Sequence, residues 1–247
     1  MKYPLLLFAV AATMFCKAQK TVAHNNQQWL QYYLQLQLPK KLIWQSDVSI
    51  RRINNLQQWS QITVRVGLGY MLPKNFQVAT GAACFSFFTN NKPSKIEFRV
   101  YQELNTTQKI KSVSVQNRLR IEARYFRNIS SGTITKASSF NFRFRYRIFF
   151  SIPLQKSSVN NTNPKFFLNI GDEVFVNAGK EIKYNILDNN RLLLGASIQF
   201  QDKVTVLFLY NFQYGQRNIS NLHEHSDVFW MGITHKITVK KRNDRAK

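Results

Sequence analysis

The chain has 247 residues, and its 35 Lys and Arg residues against 12 Asp and Glu residues give a formal net charge of +23. This excess favours an anionic partner or surface, and the counts of 9 Gly and 6 Pro exclude a collagen-like or low-complexity chain. The two Cys residues are Cys16 and Cys84, and we expect the segment that contains Cys16 to be removed, so a disulfide framework is excluded as well.

The N-terminus predicts a secretory signal peptide over residues 1–18. A positively charged start and a short apolar stretch at residues 4–15 precede small residues at the −3 and −1 positions of a cut after Ala18. The apolar stretch is too short for a membrane-spanning helix. A lipoprotein anchor at Cys16 is disfavoured because the bulky Phe15 precedes it. An exported chain rarely meets nucleic acid, so we expect no such partner, although arginines interleaved with aromatic residues also occur in single-strand binding grooves.

After this segment, apolar and polar residues alternate with a period of two almost throughout, which is typical of β-strands. In residues 57–70, for example, Ile62 and Val64 share one parity, while Thr63 and Arg65 share the other. In chain order, the predicted strands cover residues 27–38, 42–52, 57–70, 75–88, 96–105, 113–124, 140–150, 166–177, 189–200, 204–214 and 228–239. The sequence therefore predicts an all-β chain without a linker that would divide it.

The strand at residues 140–150 indicates what surrounds the sheet. Arg143, Arg145 and Arg147 occupy alternate positions, and large apolar residues fill the positions between them. A helix would scatter these arginines around its circumference, whereas a strand places all three on one face. The segment has 11 residues, about what a tilted strand needs to cross a bilayer. A slip of one residue would expose three arginines to lipid, at a cost of about 6 to 12 kcal/mol.

Two environments fit such strands, namely a soluble sandwich or lipocalin-like barrel with aromatic residues inside, and an outer-membrane barrel with aromatic residues towards lipid. The second is favoured by the long alternating runs, by aromatic residues near their ends, and by tight turns that alternate with longer links such as residues 128–139. We therefore predict an antiparallel up-and-down transmembrane β-barrel of about 12 strands over residues 19–240, followed by a basic tail at residues 241–247. Residues 19–26 are expected to add a short strand or to thread the lumen.

The polar parity of the strands predicts a positively charged interior. It contains ten arginines and five acidic residues, namely Arg51, Arg65, Arg99, Arg118, Arg120, Arg124, Arg143, Arg145, Arg147, Arg191, Asp47, Glu97, Glu103, Glu122 and Glu173. One interpretation is a lumen that attracts small anions, because rings of Arg or Lys bias a pore in this way. The other is a network of Arg and Glu side chains that simply fills a narrow barrel.

Catalytic and metal-binding patterns are sparse in this chain. His223, His225 and Asp227 could ligate a metal but lack the spacing of a helical zinc motif, and a solvated loop is the preferred interpretation. His235 shares the parity of apolar residues and is expected to face lipid or the membrane interface. We predict no enzyme activity, cofactor or metal. The alternatives are an outer-membrane lipid or peptide hydrolase, which would need a Ser near His235, and a soluble periplasmic binding barrel.

Five segments together resemble a known family. They are residues 97–102, 117–124, 143–154, 172–175 and 188–192. The chain is similar in them to a family of Gram-negative outer-membrane barrels labelled domain of unknown function 2490. The resemblance implies a location in the outer membrane, with its lipid as partner, but no activity. The recurrent polar positions of the family correspond to Glu122, Glu173, Asn190 and Arg191. The candidate lumen-lining residues are thus Arg99, Arg118, Arg120, Glu122, Arg124, Arg143, Arg145, Arg147, Glu173, Asn190 and Arg191.

Overall fold

The computed structural model describes residues 21–155 and 164–239, so the predicted signal peptide and the basic tail lie outside the described residues. The described strands are β1 (Thr21–Gln37), β2 (Leu42–Ile53), β3 (Gln58–Met71), β4 (Phe76–Thr89), β5 (Lys92–Ile110), β6 (Val113–Ser130), β7 (Thr133–Pro153), β8 (Lys165–Ala178), β9 (Leu187–Phe200), β10 (Val204–Gln216) and β11 (Leu222–Thr238). A short 3-10 turn at Pro73–Asn75 joins β3 to β4.

The strands form a closed barrel, which confirms the predicted all-β, up-and-down architecture. Each strand pairs antiparallel with its neighbours in the sequence, and the barrel closes where β11 pairs with β1. The described part of the chain contains eleven strands, one fewer than the expected number of about twelve, and because this number is odd the closing pair is parallel. Residues 21–26 neither form an extra strand nor thread the lumen. They extend β1 and pair with residues 222–227.

The expected alternation of tight turns and long links is not observed. β6 and β7 are joined by the two residues Ser131 and Gly132, where residues 128–139 were expected to form a long link. Both turn residues have positive φ, 50° and 77°, as in the two-residue hairpin turns that suit twisted strands. The flanking sequence is polar at both parities, which is why it does not look like a strand whose one face is apolar.

Apolar side chains cover the outside of the barrel, and polar side chains fill the inside. On β7, Phe144 is 41% exposed and Arg145 only 6%. A soluble barrel would have the opposite arrangement, with its aromatic residues inside. An apolar outer surface on a closed barrel is typical of proteins whose strands are surrounded by lipid. Among the described residues, no helix has the length and apolar character to cross a membrane.

One stretch of the wall depends on a close approach between an aromatic ring and two glycines. Gly81 on β4 is paired with Gly67 on β3 on one side and with Tyr101 on β5 on the other. The Tyr101 ring lies where the Cβ atoms of both glycines would otherwise be, and its hydroxyl donates a hydrogen bond to the Val66 carbonyl oxygen at 3.3 Å. The two glycines therefore allow an inward tyrosine to lie flat against the sheet.

Candidate functional site

The charged interior is built mainly on one side of the barrel, from β5 to β9. Alternation along each strand brings its charged residues to the inner face, and the register then places opposite charges next to each other. Glu122 on β6 lies opposite Arg143 on β7, and Glu173 on β8 lies opposite Arg147 and Arg191 on the two flanking strands. The pairing of the strands thus assembles a network of ion pairs from residues far apart in the sequence.

Glu122 is the centre of this network and is 1% exposed. Its Oε2 accepts hydrogen bonds from Arg143 Nε at 2.8 Å and Nη2 at 2.6 Å, and its Oε1 accepts one from Arg145 Nη1 at 2.7 Å. Two further guanidinium groups approach the same carboxylate, those of Arg99 at 3.4 Å and Arg120 at 3.7 Å. One buried carboxylate therefore interacts with four arginines.

Glu173 forms a second centre that is linked to the first. Its Oε1 accepts hydrogen bonds from Arg145 Nε at 3.0 Å and Nη2 at 2.7 Å, and from Arg118 Nη2 at 2.5 Å. Arg191 Nη1 lies 3.7 Å from its Oε2. Arg145 therefore connects Glu173 with Glu122, and the two carboxylates belong to one continuous network.

Three further acidic residues extend the network or form separate pairs. Glu97 accepts a hydrogen bond from Arg124 Nε at 2.7 Å and also pairs with Arg99. Glu103 accepts one from Arg120 Nε at 2.7 Å. Asp47 binds Arg65 through both of its oxygens, at 2.8 and 2.7 Å, on the opposite side of the barrel.

Sequence reasoning missed two members of the interior. Asp188 is the extra residue at a register shift between β8 and β9, and the resulting bulge turns it towards Arg143 Nη1, at 3.0 Å. Phe175 is 1% exposed, and the guanidinium groups of Arg145 and Arg191 lie 4.5 and 4.3 Å from its ring centroid. The signal for Phe175 was its parity, because it alternates with the inward Glu173. The bulge at Asp188 has no comparable signal in the sequence.

Ten of the eleven candidate lumen-lining residues lie on the interior face, and Asn190 does not. Asn190 precedes Arg191 directly, so regular alternation turns the two side chains to opposite faces. Asn190 Nδ2 donates a hydrogen bond to Asp172 Oδ1 at 2.8 Å, on the outer parity of β8. Its assignment to the lumen was wrong, because it followed the resemblance rather than the parity. The functional role of the other ten stays a prediction.

The histidines in the described parts of the chain contact tyrosine, histidine or aspartate side chains. His223 and His225 lie on β11 rather than in a solvated loop. His225 Nδ1 is 3.1 Å from His24 Nδ1, and its Nε2 is 3.6 Å from Asp227 Oδ1. His235 interacts with the Tyr32 hydroxyl at 3.2 Å, where a hydrolase would need a Ser. Within residues 21–155 and 164–239, no group of three His, Cys, Asp or Glu side chains is arranged to hold a metal.

The interior contains a cavity of about 2120 Å³. Lys109 and Lys111, near the β5–β6 turn, line it at one end of the barrel, and Lys95 and Arg217 line it at the other. Ten arginines and six acidic side chains from the strands described above point to the inside of the barrel, so these side chains give the interior a net positive charge.

The closed barrel, its apolar exterior and its charged interior define a β-barrel of the outer-membrane type. The chain belongs to the family described as "Protein of unknown function (DUF2490)", whose sequence model matches residues 26–224. This confirms the family to which the sequence is similar. Among solved structures, the chain is similar to the β domain of the Bordetella autotransporter BrkA, with 9% identity and a TM-score of 0.38 over 71% of this chain and 78% of that one. A comparison with curated proteins gives no match.

Proposed function

We propose that the protein is an integral barrel of the cell outer membrane, exported through the signal peptide at residues 1–18, and that its interior is a narrow passive route for small anions. The observation that carries this proposal is the excess of arginines over carboxylates around the interior cavity. This cavity is lined by residues near both ends of the barrel. A positive interior lowers the energy of an anion on the way through and raises that of a cation.

Two arginines give this excess a definite position. Arg51 and Arg147 both line the cavity, and among the described residues neither has a carboxylate within ion-pair distance. Neither group is therefore held in a direct ion pair, in contrast to Arg143 or Arg145. A permeating anion would interact with these two groups without having to displace a carboxylate.

The test is the conductance of the refolded protein in a planar bilayer that separates two concentrations of KCl. We expect small current steps and a reversal potential whose sign corresponds to selectivity for chloride over potassium. Replacing Arg147→Gln should move the reversal potential towards zero, because it removes an uncompensated interior charge. The matched control is Arg127→Gln, an exposed position near the β6–β7 turn, which should leave the reversal potential unchanged. A cation-selective current would contradict the proposal.

A structural barrel without conductance is the second candidate, and the network around Glu122 favours it. Multiple charge-assisted hydrogen bonds from Arg143 and Arg145 fix side chains across the interior, and small barrels are often filled in this way. A folded protein that gives no current steps in the bilayer would favour this function over the anion route.

A further inference from the structure

The interior wall formed by β9, β10, β11, β1 and β2 combines arginines with tryptophan rings, unlike the network around Glu122. At its centre lies Trp29, which is 5% exposed. The guanidinium carbon of Arg51 lies 3.7 Å from the Trp29 ring centroid, and that of Arg191 lies 5.2 Å from it. Two cations thus share one indole ring, which is favourable for each of them separately but brings like charges together.

Arg51 has an incomplete set of partners. Its Nη1 donates a hydrogen bond to Gln61 Oε1 at 3.2 Å. Its Nε is buried and has no hydrogen-bond partner, and none of the described carboxylates is within ion-pair distance of it. Its charged neighbours include Arg191, Arg99 and Arg65, all of the same sign. Arg51 is therefore a cation in a region that contains other cations and lacks a counter-charge.

Two uncharged side chains that contact Arg191 or Trp29 also have unused donors. Gln213 is 6% exposed, and its Oε1 accepts hydrogen bonds from Asn189 Nδ2 at 2.8 Å and from Arg191 Nε at 3.2 Å. These two donors fix the orientation of the amide, so that its NH₂ group points away from them, and its Nε2 has no partner. Trp230 packs edge-on against Trp29, with 5.7 Å between the ring centroids, and its Nε1 has no partner either.

On this wall the amide oxygens of Asn189 and Asn211 have no hydrogen-bond partner. Four donors are also free there, and they belong to Asn211, Arg51, Gln213 and Trp230. A ligand that only accepts hydrogen bonds and carries negative charge would satisfy them and would also separate the charges of Arg51 and Arg191. A cation would instead add to the repulsion between the two arginines. Carboxylate and phosphate groups have this chemistry, and a guanidinium group binds both with two parallel hydrogen bonds.

We propose that Arg51, Arg191, Gln213, Trp29 and Trp230 form a binding site for the carboxylate or phosphate group of a small anion. The inference deepens the proposed function, since it gives the interior a defined oxyanion site, but it requires only binding and not conduction. The site differs from the network around Glu122 because Arg51 has no carboxylate within ion-pair distance among the described residues, whereas Arg143 and Arg145 both pair with Glu122. Chloride, which has no planar or tetrahedral oxygen arrangement, binds it more weakly than an oxyanion does.

The experiment is isothermal titration calorimetry of the full-length barrel in detergent, with inorganic phosphate, acetate and chloride as separate probes at constant ionic strength. We expect saturable one-to-one binding of phosphate or acetate, at least tenfold tighter than that of chloride. Arg51→Gln should weaken this binding at least tenfold. Lys111→Gln is the control, because Lys111 also lines the cavity but lies at the end of the barrel near the β5–β6 turn, and it should leave the affinity unchanged.

A second variant keeps the test decisive if Arg51→Gln does not fold. Gln213→Glu has nearly the same shape and replaces the free NH₂ with a negatively charged oxygen, so it should abolish oxyanion binding while a resistant, folded band persists in unheated gels. The proposal fails if no probe binds saturably, or if Arg51→Gln and Lys111→Gln weaken binding equally, as a diffuse positive potential would require. A barrel that binds phosphate but gives no current would contradict the anion route and leave this site intact.

Discussion

Glu122 illustrates how a single residue determines the stability of the interior. Its carboxylate is the negative charge nearest to Arg143, and it also interacts with Arg145, Arg99 and Arg120. Buried charges are tolerated only when they are paired and hydrogen-bonded, and removing one partner leaves the others uncompensated. Because four guanidinium groups depend on Glu122, its loss exposes each of them to repulsion from the rest.

Replacing Glu122→Gln should therefore destabilise the folded barrel by about 3 to 5 kcal/mol. The control is Asp202→Asn, since Asp202 is 70% exposed in its pair with Lys165 and should contribute less than about 1 kcal/mol. Urea unfolding in lipid vesicles, followed by tryptophan fluorescence, measures both changes. Equal effects of the two substitutions would mean that the interior network does not stabilise the barrel.

At the scale of the strands, parity accounts for what could be predicted from the sequence. The segments that cross the apolar belt have one apolar and one polar face, and all of them were found. The extensions were missed, such as the first residues of β7, because both of their faces are polar and alternation carries no information there. Alternation also could not predict the inward direction of Asp188, which depends on a bulge. Asn190 is a different case, because its parity was correct and its assignment to the lumen followed the resemblance instead. Local alternation therefore predicts faces but not where strands end or shift register.

The pairing of β3, β4 and β5 depends on glycine at position 81. A Cβ atom there would collide with the Tyr101 hydroxyl and with the Val66 carbonyl oxygen, which belongs to the backbone and cannot easily move. Gly81→Ala should lower the free energy of unfolding by about 1 to 3 kcal/mol, the usual effect of overpacking. Gly232→Ala is the control, because its nearest neighbour would be 3.8 Å away. If both variants unfold at the wild-type urea concentration, the close approach of Tyr101 is not a constraint.

For the whole molecule, an odd number of strands has a direct consequence. β1 and β11 run in the same direction, so Thr21, where β1 begins, and Thr238, where β11 ends, lie at opposite ends of the barrel. Closure leaves no strand edge unpaired, which is the condition for a sheet to exist in lipid. The exterior is apolar and the interior is charged because the described strands all turn their apolar parity outward and their polar parity inward.

Cys84 offers a direct test of whether the apolar outer face is in contact with lipid. It lies on the outer parity of β4, next to Val64 and Phe98 in the register, and is the free, exposed cysteine of the described residues. If lipid covers the exterior, a charged, water-soluble thiol reagent should react with Cys84 at least tenfold more slowly in vesicles than after denaturation. A small apolar maleimide should react with Cys84 both in vesicles and after denaturation.

The positive control is Ser112→Cys in a Cys84→Ser background, because Ser112 lies in the exposed β5–β6 turn and its thiol would be in water. This variant should react with the charged reagent equally fast in vesicles and after denaturation. Rapid reaction of Cys84 with the charged reagent in vesicles would place the outer face in water. It would then contradict a barrel that is surrounded by lipid, together with every function that depends on spanning the membrane.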